Sequence, residues 1–208
     1  MECKSFSGLN YWVYTPQNPR KGLPLVTFLH GIGERGSDPE NVCRTSLPKW
    51  LREGRWTPDA WVICPQCPDG MDWHTQAEKL KAVIDHEIEE LEADKDRVSI
   101  TGLSMGGYGT WSMAVLYPDM FSAIAPVCGG GSPGRAKLLT HLPVWAFHGA
   151  QDDVVPLHYS VDMVDGINKV GGNARLTIFH TLAHNSWDEA YGTTNVLDWL
   201  LEQSRKAK

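Results

Sequence analysis

Ser104 lies in a glycine-rich stretch, GLSMGGYG (102–109), whose spacing suits a nucleophile. The stretch contains the pattern G-x-S-x-G, with an apolar run before it and a helix-like segment after it. In this context a serine is held in a strained conformation at a sharp strand-to-helix turn, with its hydroxyl exposed at the edge of a sheet. Residues without a Cβ are needed around it because the strand and helix backbones approach closely. The sequence therefore predicts that Ser104 is a catalytic nucleophile.

A serine hydroxyl becomes nucleophilic when a histidine removes its proton and a carboxylate orients that histidine. On a strand–turn–helix scaffold these partners follow the serine in the order acid, then histidine. His184 lies in a short loop between a strand-like segment and the last helical segment, so it is the predicted base. Asp152 and Asp153 both lie just past an earlier strand-like segment, and Asp152 is the preferred acid. His30 and His148 do not suit this order and are set aside.

Acyl transfer also needs N–H groups directed at the negative oxygen of a tetrahedral intermediate, each worth roughly 10²–10³ in rate. The amide after the nucleophile, that of Met105, is one expected donor. The other should lie in the loop after an early strand, where the sequence reads HGIGERG (30–36). The amide of Ile32 is the predicted donor, since its two flanking glycines would let the loop bend under a substrate carbonyl. Glu34 and Arg35 could support this loop or contact substrate, and the sequence leaves both roles open.

These residues require strands that end at one edge of a sheet. Several apolar runs are continuous, as expected for strands buried on both faces of a parallel sheet. The predicted strands are Tyr11–Tyr14, Leu25–Leu29, Trp61–Cys64, Val98–Thr101, Ala123–Val127, Val144–Phe147 and Leu176–Phe179. The predicted helices are 77–94, Ser104–Tyr117, Leu157–Val170 and Ser186–Gln203. Strands that alternate with helices predict an α/β fold in three layers.

Length and composition predict a single domain, residues 1–208, without repeats or linkers. The formal net charge of −6 argues against nucleic acid or an anionic membrane as a partner. No apolar run approaches the roughly 18 residues of a membrane span, and the first residues lack the layout of a secretory signal. The five cysteines form a poor disulfide framework, so we expect reduced thiols. A cytoplasmic protein is expected, or a secreted one whose signal has been removed, and the oligomeric state is open.

Cys64 and Cys67 have the C-x-x-C spacing of redox and zinc sites. The pair stands alone, whereas a structural zinc site needs four ligands. A buried, apolar role for both thiols is therefore preferred, and no metal site is predicted.

Four segments together resemble the α/β-hydrolase superfamily, namely HGIGERG (30–36), GLSMGGYGTW (102–111), HGAQDDVVP (148–156) and HNSWDEAY (184–191). The chain is similar to small bacterial carboxylesterases grouped with dienelactone hydrolase, phospholipase/carboxylesterase and predicted-peptidase families. The resemblance covers about residues 10–203 and implies a mostly parallel central sheet with helices on both faces. The pattern H-G-x-x-D-x-x-V-P places the catalytic acid on Asp152. The pattern G-H-x-x-W places the histidine on His184, although Ala183 stands where many relatives have glycine.

The resemblance implies a serine carboxylesterase that works through an acyl-enzyme and needs no cofactor. Relatives with these motifs often resemble acetyl-xylan and feruloyl esterases, so small-molecule esters or esters attached to plant polysaccharides are the expected substrates. Only 48 residues separate position 104 from position 152, which leaves no room for a large cap domain. The alternatives are an acyl-thioesterase or lysophospholipase, a small serine peptidase and, last, a non-catalytic binding protein with the same fold.

Aromatic side chains are abundant, with nine tryptophans in the chain. Trp187 and Trp73 fall in segments expected near the site, and aromatic faces bind sugar rings and aryl acids. Both are therefore predicted to contact the substrate.

Overall fold

A sheet of eight strands forms the centre of the computed structural model, which describes residues 1–207. The strands are β1 Glu2–Phe6, β2 Leu9–Tyr14, β3 Leu25–Leu29, β4 Trp61–Pro65, β5 Val98–Leu103, β6 Ala123–Val127, β7 Val144–Gly149 and β8 Ala174–Phe179. Their order across the sheet is β1-β2-β4-β3-β5-β6-β7-β8. The pairs β1–β2 and β2–β4 are antiparallel, and all later pairs are parallel.

Helices cover both faces of the sheet. They are α1 Ser46–Glu53, α2 Ala77–Glu90, α3 Met105–Leu116, α4 His158–Lys169, α5 Trp187–Thr193 and α6 Val196–Glu202. The buried side chains of α2, α3 and α4 belong to one hydrophobic cluster, and those of α1, α5 and α6 belong to a second cluster. The three-layer α/β fold is thus confirmed. Residues 1–207 include no large cap domain and no helix long and apolar enough to cross a membrane.

The strand order reverses beside the central strand β5. The strand after β3, which is β4, pairs on one side of β3, and β5 pairs on its other side. Open α/β sheets bind ligands in the crevice outside the carboxyl ends of the strands at such a reversal. The loop after β3 and the turn after β5 meet at this point, so the topology itself favours a site there.

All seven predicted strands are present, but three other elements differ from the sequence prediction. The hairpin strand β1 and the helix α1 were not predicted. Strand β1 has no apolar run, and α1 carries Pro48 in its first turn, where a missing N–H costs no hydrogen bond. The helix predicted over Ser186–Gln203 is two helices, because Thr194 is extended (φ −100°, ψ 166°). Its hydroxyl accepts a hydrogen bond from the amide of Val196, the first residue of α6.

Helix α3 lies so close to the sheet that only glycine fits at the contact. A Cβ on Gly106 would lie 2.0 Å from the carbonyl oxygen of Leu29 in β3. A Cβ on Gly102 would lie 2.5 Å from the carbonyl oxygen of Gly106 and 2.7 Å from that of Leu29. Both obstacles are backbone atoms, which cannot turn away as a flexible side chain can. The glycines therefore set the distance between α3 and strands β3 and β5.

We expect Gly106→Ala to destabilise the fold by more than about 3 kcal/mol, because the backbone of β3 or α3 must move to admit the methyl group. Urea denaturation gives the free energy of unfolding. Gly134→Ala is the matched control, since a Cβ at that exposed glycine meets nothing within 4 Å. Equal stability of the two variants would contradict the packing described for α3.

Candidate active site

Ser104, His184 and Asp152 lie together at the carboxyl edge of the sheet, in the segments that follow β5, β8 and β7. The hydroxyl oxygen of Ser104 is 2.9 Å from Nε2 of His184. Nδ1 of His184 is 2.8 Å from Oδ2 of Asp152. Because a carboxylate can only accept, the ring proton lies on Nδ1, and Nε2 accepts from the serine hydroxyl. Asp153, the alternative acid, is exposed, and His184 hydrogen bonds to Asp152 instead.

The backbone of Ser104 adopts a conformation that non-glycine residues rarely take, with φ 52° and ψ −117°. Its amide donates to the carbonyl oxygen of Val127 at 3.0 Å, at the end of the neighbouring strand β6. Its side chain makes no capping hydrogen bond with α3, so the hydroxyl is available to His184. Strain of this kind persists only where the surrounding structure enforces it, and it clusters at functional sites.

The side chain of Asp152 is fully buried, and each of its oxygens is hydrogen bonded. Oδ1 accepts from the amides of Val154 at 3.0 Å and Val155 at 2.8 Å, and Oδ2 accepts from His184. Burial by itself raises the pKa of this carboxyl, but the hydrogen bonds from His184, Val155 and Val154 outweigh it and leave the pKa below its usual value. Asp152 is therefore a fixed negative charge beside the histidine at neutral pH.

His148, which the sequence analysis set aside, contacts the acid from the other side. Its Nε2 is 3.2 Å from Oδ2 of Asp152 and 2.8 Å from the carbonyl oxygen of Val155. Its side chain is fully buried, and burial lowers its pKa, so the ring is neutral. Since both neighbours of Nε2 are acceptors, the ring proton lies on Nε2. The single proton of the Ser160 hydroxyl lies between two acceptors, Nδ1 of His148 at 2.7 Å and the carbonyl oxygen of Gly129 at 2.9 Å. The ring proton of His148 is therefore donated to the carbonyl oxygen of Val155, and Nε2 also lies in contact with the carboxylate oxygen that accepts from His184.

Ile32 and Met105, whose amides are predicted to hold an oxyanion, line one cavity together with Ser104. Each is the first residue of a helix, Ile32 in the 3₁₀ helix Ile32–Glu34 and Met105 in α3. First-turn N–H groups have no partner within their own helix. No acceptor for either amide occurs among residues 1–207, so both remain available to a ligand.

Glu34 and Arg35, whose roles the sequence left open, support the loop that carries Ile32. The guanidinium of Arg35 donates to the carbonyl oxygens of Ile32 at 3.2 Å and Met71 at 3.1 Å. The carboxylate of Glu34 accepts from the Thr45 hydroxyl at 3.4 Å. These contacts tie the loop to two neighbouring segments.

His30 holds the same loop from beneath. Its Nε2 accepts from the amide of Cys67 at 2.9 Å, and its Nδ1 donates to the carbonyl oxygen of Gly31 at 2.6 Å. Burial lowers the pKa of His30 to about 4, so the ring is neutral. The C-x-x-C segment thus contributes a backbone amide to the site, while the thiols of Cys64 and Cys67 are free and buried.

Two cavities lie near the three residues at the carboxyl edge of the sheet, one lined by Ser104 and the other by Trp187, which contacts His184. The first, of about 450 Å³, contains the Ser104 hydroxyl and is lined mainly by Ile32, Trp73, Tyr108 and Val154. Trp73 is its buried wall, fixed by a hydrogen bond of 3.0 Å from its indole N–H to the carbonyl oxygen of His30. Trp187 lies instead in a second cleft, where the edge of its ring meets the His184 imidazole with ring centres 5.5 Å apart.

Cys128, Asp152 and His184 are the one group of potential metal ligands found among residues 1–207, with their ligand atoms within 4.8 Å of one another. A thiol must lose its proton to bind a metal. Burial raises the pKa of Cys128 to about 12, and the nearest atoms of Asp152 and His184 are already bonded to each other. The donor set therefore favours the pairing of acid and histidine over metal binding.

Residues 48–195 match the model of the phospholipase/carboxylesterase family. The chain belongs to this family. An individual relative is the bifunctional acetylxylan esterase/xylanase of Neocallimastix patriciarum, which is 30% identical over 154 residues, covering 72% of this chain and 22% of that protein. Feruloyl esterase B of Thermothelomyces thermophilus is 27% identical over 134 residues, covering 59% of this chain and 45% of that protein.

The crystal structure of a thermostable esterase superposes with a TM-score of 0.86 at 30% identity, covering 98% of this chain and 63% of that one. The chain spans less than half the length of either curated relative described above. The α/β-hydrolase fold predicted from the four motifs is confirmed by the family match and by this structural likeness.

His30 should make the stability of this family member sensitive to acid. Its pKa is about 4 in the folded protein against an ordinary value of 6.5, so the unfolded chain binds the extra proton between these pH values. Stability is therefore lost as the pH falls through this range. We expect this residue to account for about 2 kcal/mol of the loss in unfolding free energy between about pH 7 and about pH 5.

Urea denaturation at the two pH values measures this loss. It should be smaller by that amount in His30→Gln, whereas the exposed control His180→Gln should match the wild type. The same pH dependence in all three proteins would show that His30 is not the group responsible.

His148 should position Asp152 and so affect turnover more than substrate binding. We expect His148→Leu to lower kcat for an ester about 10-fold or more, because a small displacement of the acid misaligns His184. KM should change little, since the ring does not reach the cavity. His148→Gln keeps an N–H donor and should recover most of kcat. If both variants lose kcat equally, or if KM rises instead, the ring does not act through Asp152.

Proposed function

We propose that the protein is a serine carboxylesterase in which Ser104, His184 and Asp152 form the catalytic triad. The observation that carries this proposal is the continuous hydrogen-bonded chain from the serine hydroxyl to the buried carboxylate, with distances of 2.9 and 2.8 Å. Two unpaired amides beside the hydroxyl supply the second requirement of acyl transfer. The names of the relatives, which include acetylxylan esterase and feruloyl esterase, support the same reaction class.

The reaction begins when Nε2 of His184 takes the hydroxyl proton of Ser104 as its oxygen attacks the ester carbonyl carbon. The carbonyl oxygen becomes negative and accepts hydrogen bonds from the amides of Ile32 and Met105. Asp152 stabilises the imidazolium of His184 without accepting its proton. The bond from the carbonyl carbon to the alcohol oxygen then breaks, and His184 gives its proton to that oxygen. Water repeats the cycle on the acyl-enzyme and releases the acid.

The cavity at Ser104 favours an apolar acyl group larger than acetyl. Its volume is about 450 Å³, and its lining includes Tyr108, which is 38% exposed, and the fully buried Trp73. Aromatic walls of this kind bind aryl groups through apolar and stacking contacts. A feruloyl ester of a plant polysaccharide is therefore the proposed substrate. An acetyl ester is the second candidate, because an acetylxylan esterase is among the relatives.

The site is open, which supports polymer-attached substrates over a sealed lipid chain. Ile32 and Val154, on the rim of the cavity, are 61% and 65% exposed. A peptidase usually needs an extended groove or a gating domain, and residues 1–207 contain no such domain. The intact triad geometry argues against a binding protein without catalysis.

The proposal is tested first with Ser104→Ala. We expect its kcat on 4-nitrophenyl acetate to fall on the order of 10⁶-fold, since the nucleophile is lost. The variant should also escape covalent labelling by a fluorophosphonate, whereas wild type and the exposed-serine control Ser5→Ala should be labelled. A variant that retained activity or labelling would rule out Ser104 as the nucleophile.

Hydrolysis of methyl ferulate and of methyl acetate, with Ser104→Ala as the blank, discriminates between the feruloyl and the acetyl group. A higher kcat/KM on methyl ferulate than on methyl acetate supports the aryl pocket. The reverse preference assigns the enzyme to acetyl esters.

A further inference from the structure

A second cleft lies directly beside the catalytic histidine, between α1 and α5. We call it the α1–α5 cleft. Its volume is about 700 Å³, and the side chains that matter below are Arg44, Lys49, Trp50, Arg55, Trp187 and Asp188. The reaction described above makes no use of this cleft.

The α1–α5 cleft concentrates positive charge in a protein whose net charge is −6. Three of its lining side chains are cations and one, Asp188, is a carboxylate. Lys49 and Arg55 both lie near Glu53, at 3.8 and 4.0 Å, so one carboxylate is shared between two cations. Arg44 is exposed and forms no ion pair or side-chain hydrogen bond with any residue in 1–207. The positive charge of the cleft is therefore only partly compensated, and Arg44 is available to an anionic ligand.

Aromatic rings accompany these cations. The half-buried indole of Trp187 stands between the cleft and the His184 imidazole. The guanidinium of Arg55 lies over the ring of Trp50, 4.6 Å from its centre. Aromatic faces beside hydrogen-bonding groups suit sugar rings, which have apolar faces and polar edges.

The position of the cleft determines which part of an ester it meets. The oxyanion amides and the acyl cavity lie on the Ser104 side of His184. The departing alcohol oxygen must come within hydrogen-bond reach of Nε2 of His184, which gives it a proton. The α1–α5 cleft adjoins His184 through Trp187, so it lies where the remainder of that alcohol extends.

We propose that the α1–α5 cleft binds the alcohol part of the substrate, and that this part is a sugar chain carrying carboxylates, such as a uronic acid. The inference rests on the proposed esterase function and specifies its substrate class. Trp187 contacts a sugar face, and Arg44 contacts a carboxylate through charge-assisted hydrogen bonds. A neutral sugar or a lipid chain would leave Arg44 without a partner.

The test compares two oligosaccharide esters with the same acyl group. One is an acetylated oligogalacturonide, with a carboxylate on each ring, and the other is a neutral acetylated xylo-oligosaccharide. We expect wild type to favour the acidic substrate in kcat/KM at an ionic strength of about 10 mM. In Arg44→Gln the ratio of acidic to neutral kcat/KM should fall about 5- to 20-fold, mainly through KM on the acidic substrate.

Arg135→Gln is the matched control, because Arg135 is also exposed, forms no ion pair within residues 1–207 and lies outside both cavities beside His184. Its ratio should equal that of wild type. Lys49→Gln provides a second test of the cleft if Arg44→Gln does not fold. Salt of about 0.5 M should reduce the wild-type preference, since it screens exposed charges.

The outcomes separate this inference from the function on which it rests. Activity on 4-nitrophenyl acetate without a preference for the acidic sugar would overturn the inference alone. So would an unchanged ratio in both cleft variants, or a preference for a glycerophosphate ester over both sugars. A wild-type protein inactive on every ester, including 4-nitrophenyl acetate, would overturn the esterase proposal as well.

Discussion

The close approach of α3 to strand β3 is the constraint on which the site depends. Gly106 brings the helix backbone against the carbonyl oxygen of Leu29. At that distance the chain must turn sharply between β5 and α3, so Ser104 adopts a strained conformation and points its hydroxyl away from both elements. The same contact places the first amide of α3 beside the loop that follows β3. One packing distance thus sets the position of Ser104, the proposed nucleophile, and of the loop and helix start that carry the two proposed oxyanion amides.

Hydrogen bonds then hold three separate loops to this fixed point. Asp152 accepts hydrogen bonds from its own loop and from His184, and His148 packs against one of its oxygens, which leaves the carboxylate no alternative orientation. His30 and Arg35 fasten the loop of Ile32 to the segments around Cys67 and Met71. Both buried histidines are neutral because burial lowers their pKa. The site is therefore rigid near neutral pH before any ligand arrives.

Much of this arrangement could be predicted from the sequence, because it rests on local patterns. The apolar runs indicated seven of the eight strands, and the glycines around Ser104 marked the turn that exposes it. The order of Ser104, Asp152 and His184 followed from which strands each one succeeds. Contacts between distant segments could not be predicted in this way. The bond from Arg35 to Met71 and the cleft beside Trp187 depend on how loops pack, and no short-range pattern encodes that packing.

The position of His148 could be read from the sequence, but its contact with Asp152 could not. This histidine stands in the same motif as Asp152, four residues before it, and was set aside because it could not be the base. Its position at the end of β7 turns its ring under the acid, which becomes visible only when the strand and the following turn are seen together. A motif can hence hold a supporting residue in addition to the reacting one.

The rim of the site has a consequence for the geometry of polymer binding. Among residues 1–207 no helix or domain covers the carboxyl edge of the sheet. The cavity at Ser104 and the α1–α5 cleft are both open to solvent. A long chain can therefore be laid across the surface sideways, without being threaded through an opening. For the proposed polysaccharide substrate, attack in the middle of a polymer chain is then as accessible as attack at its end, so the length of the polymer would not limit where its side groups are removed.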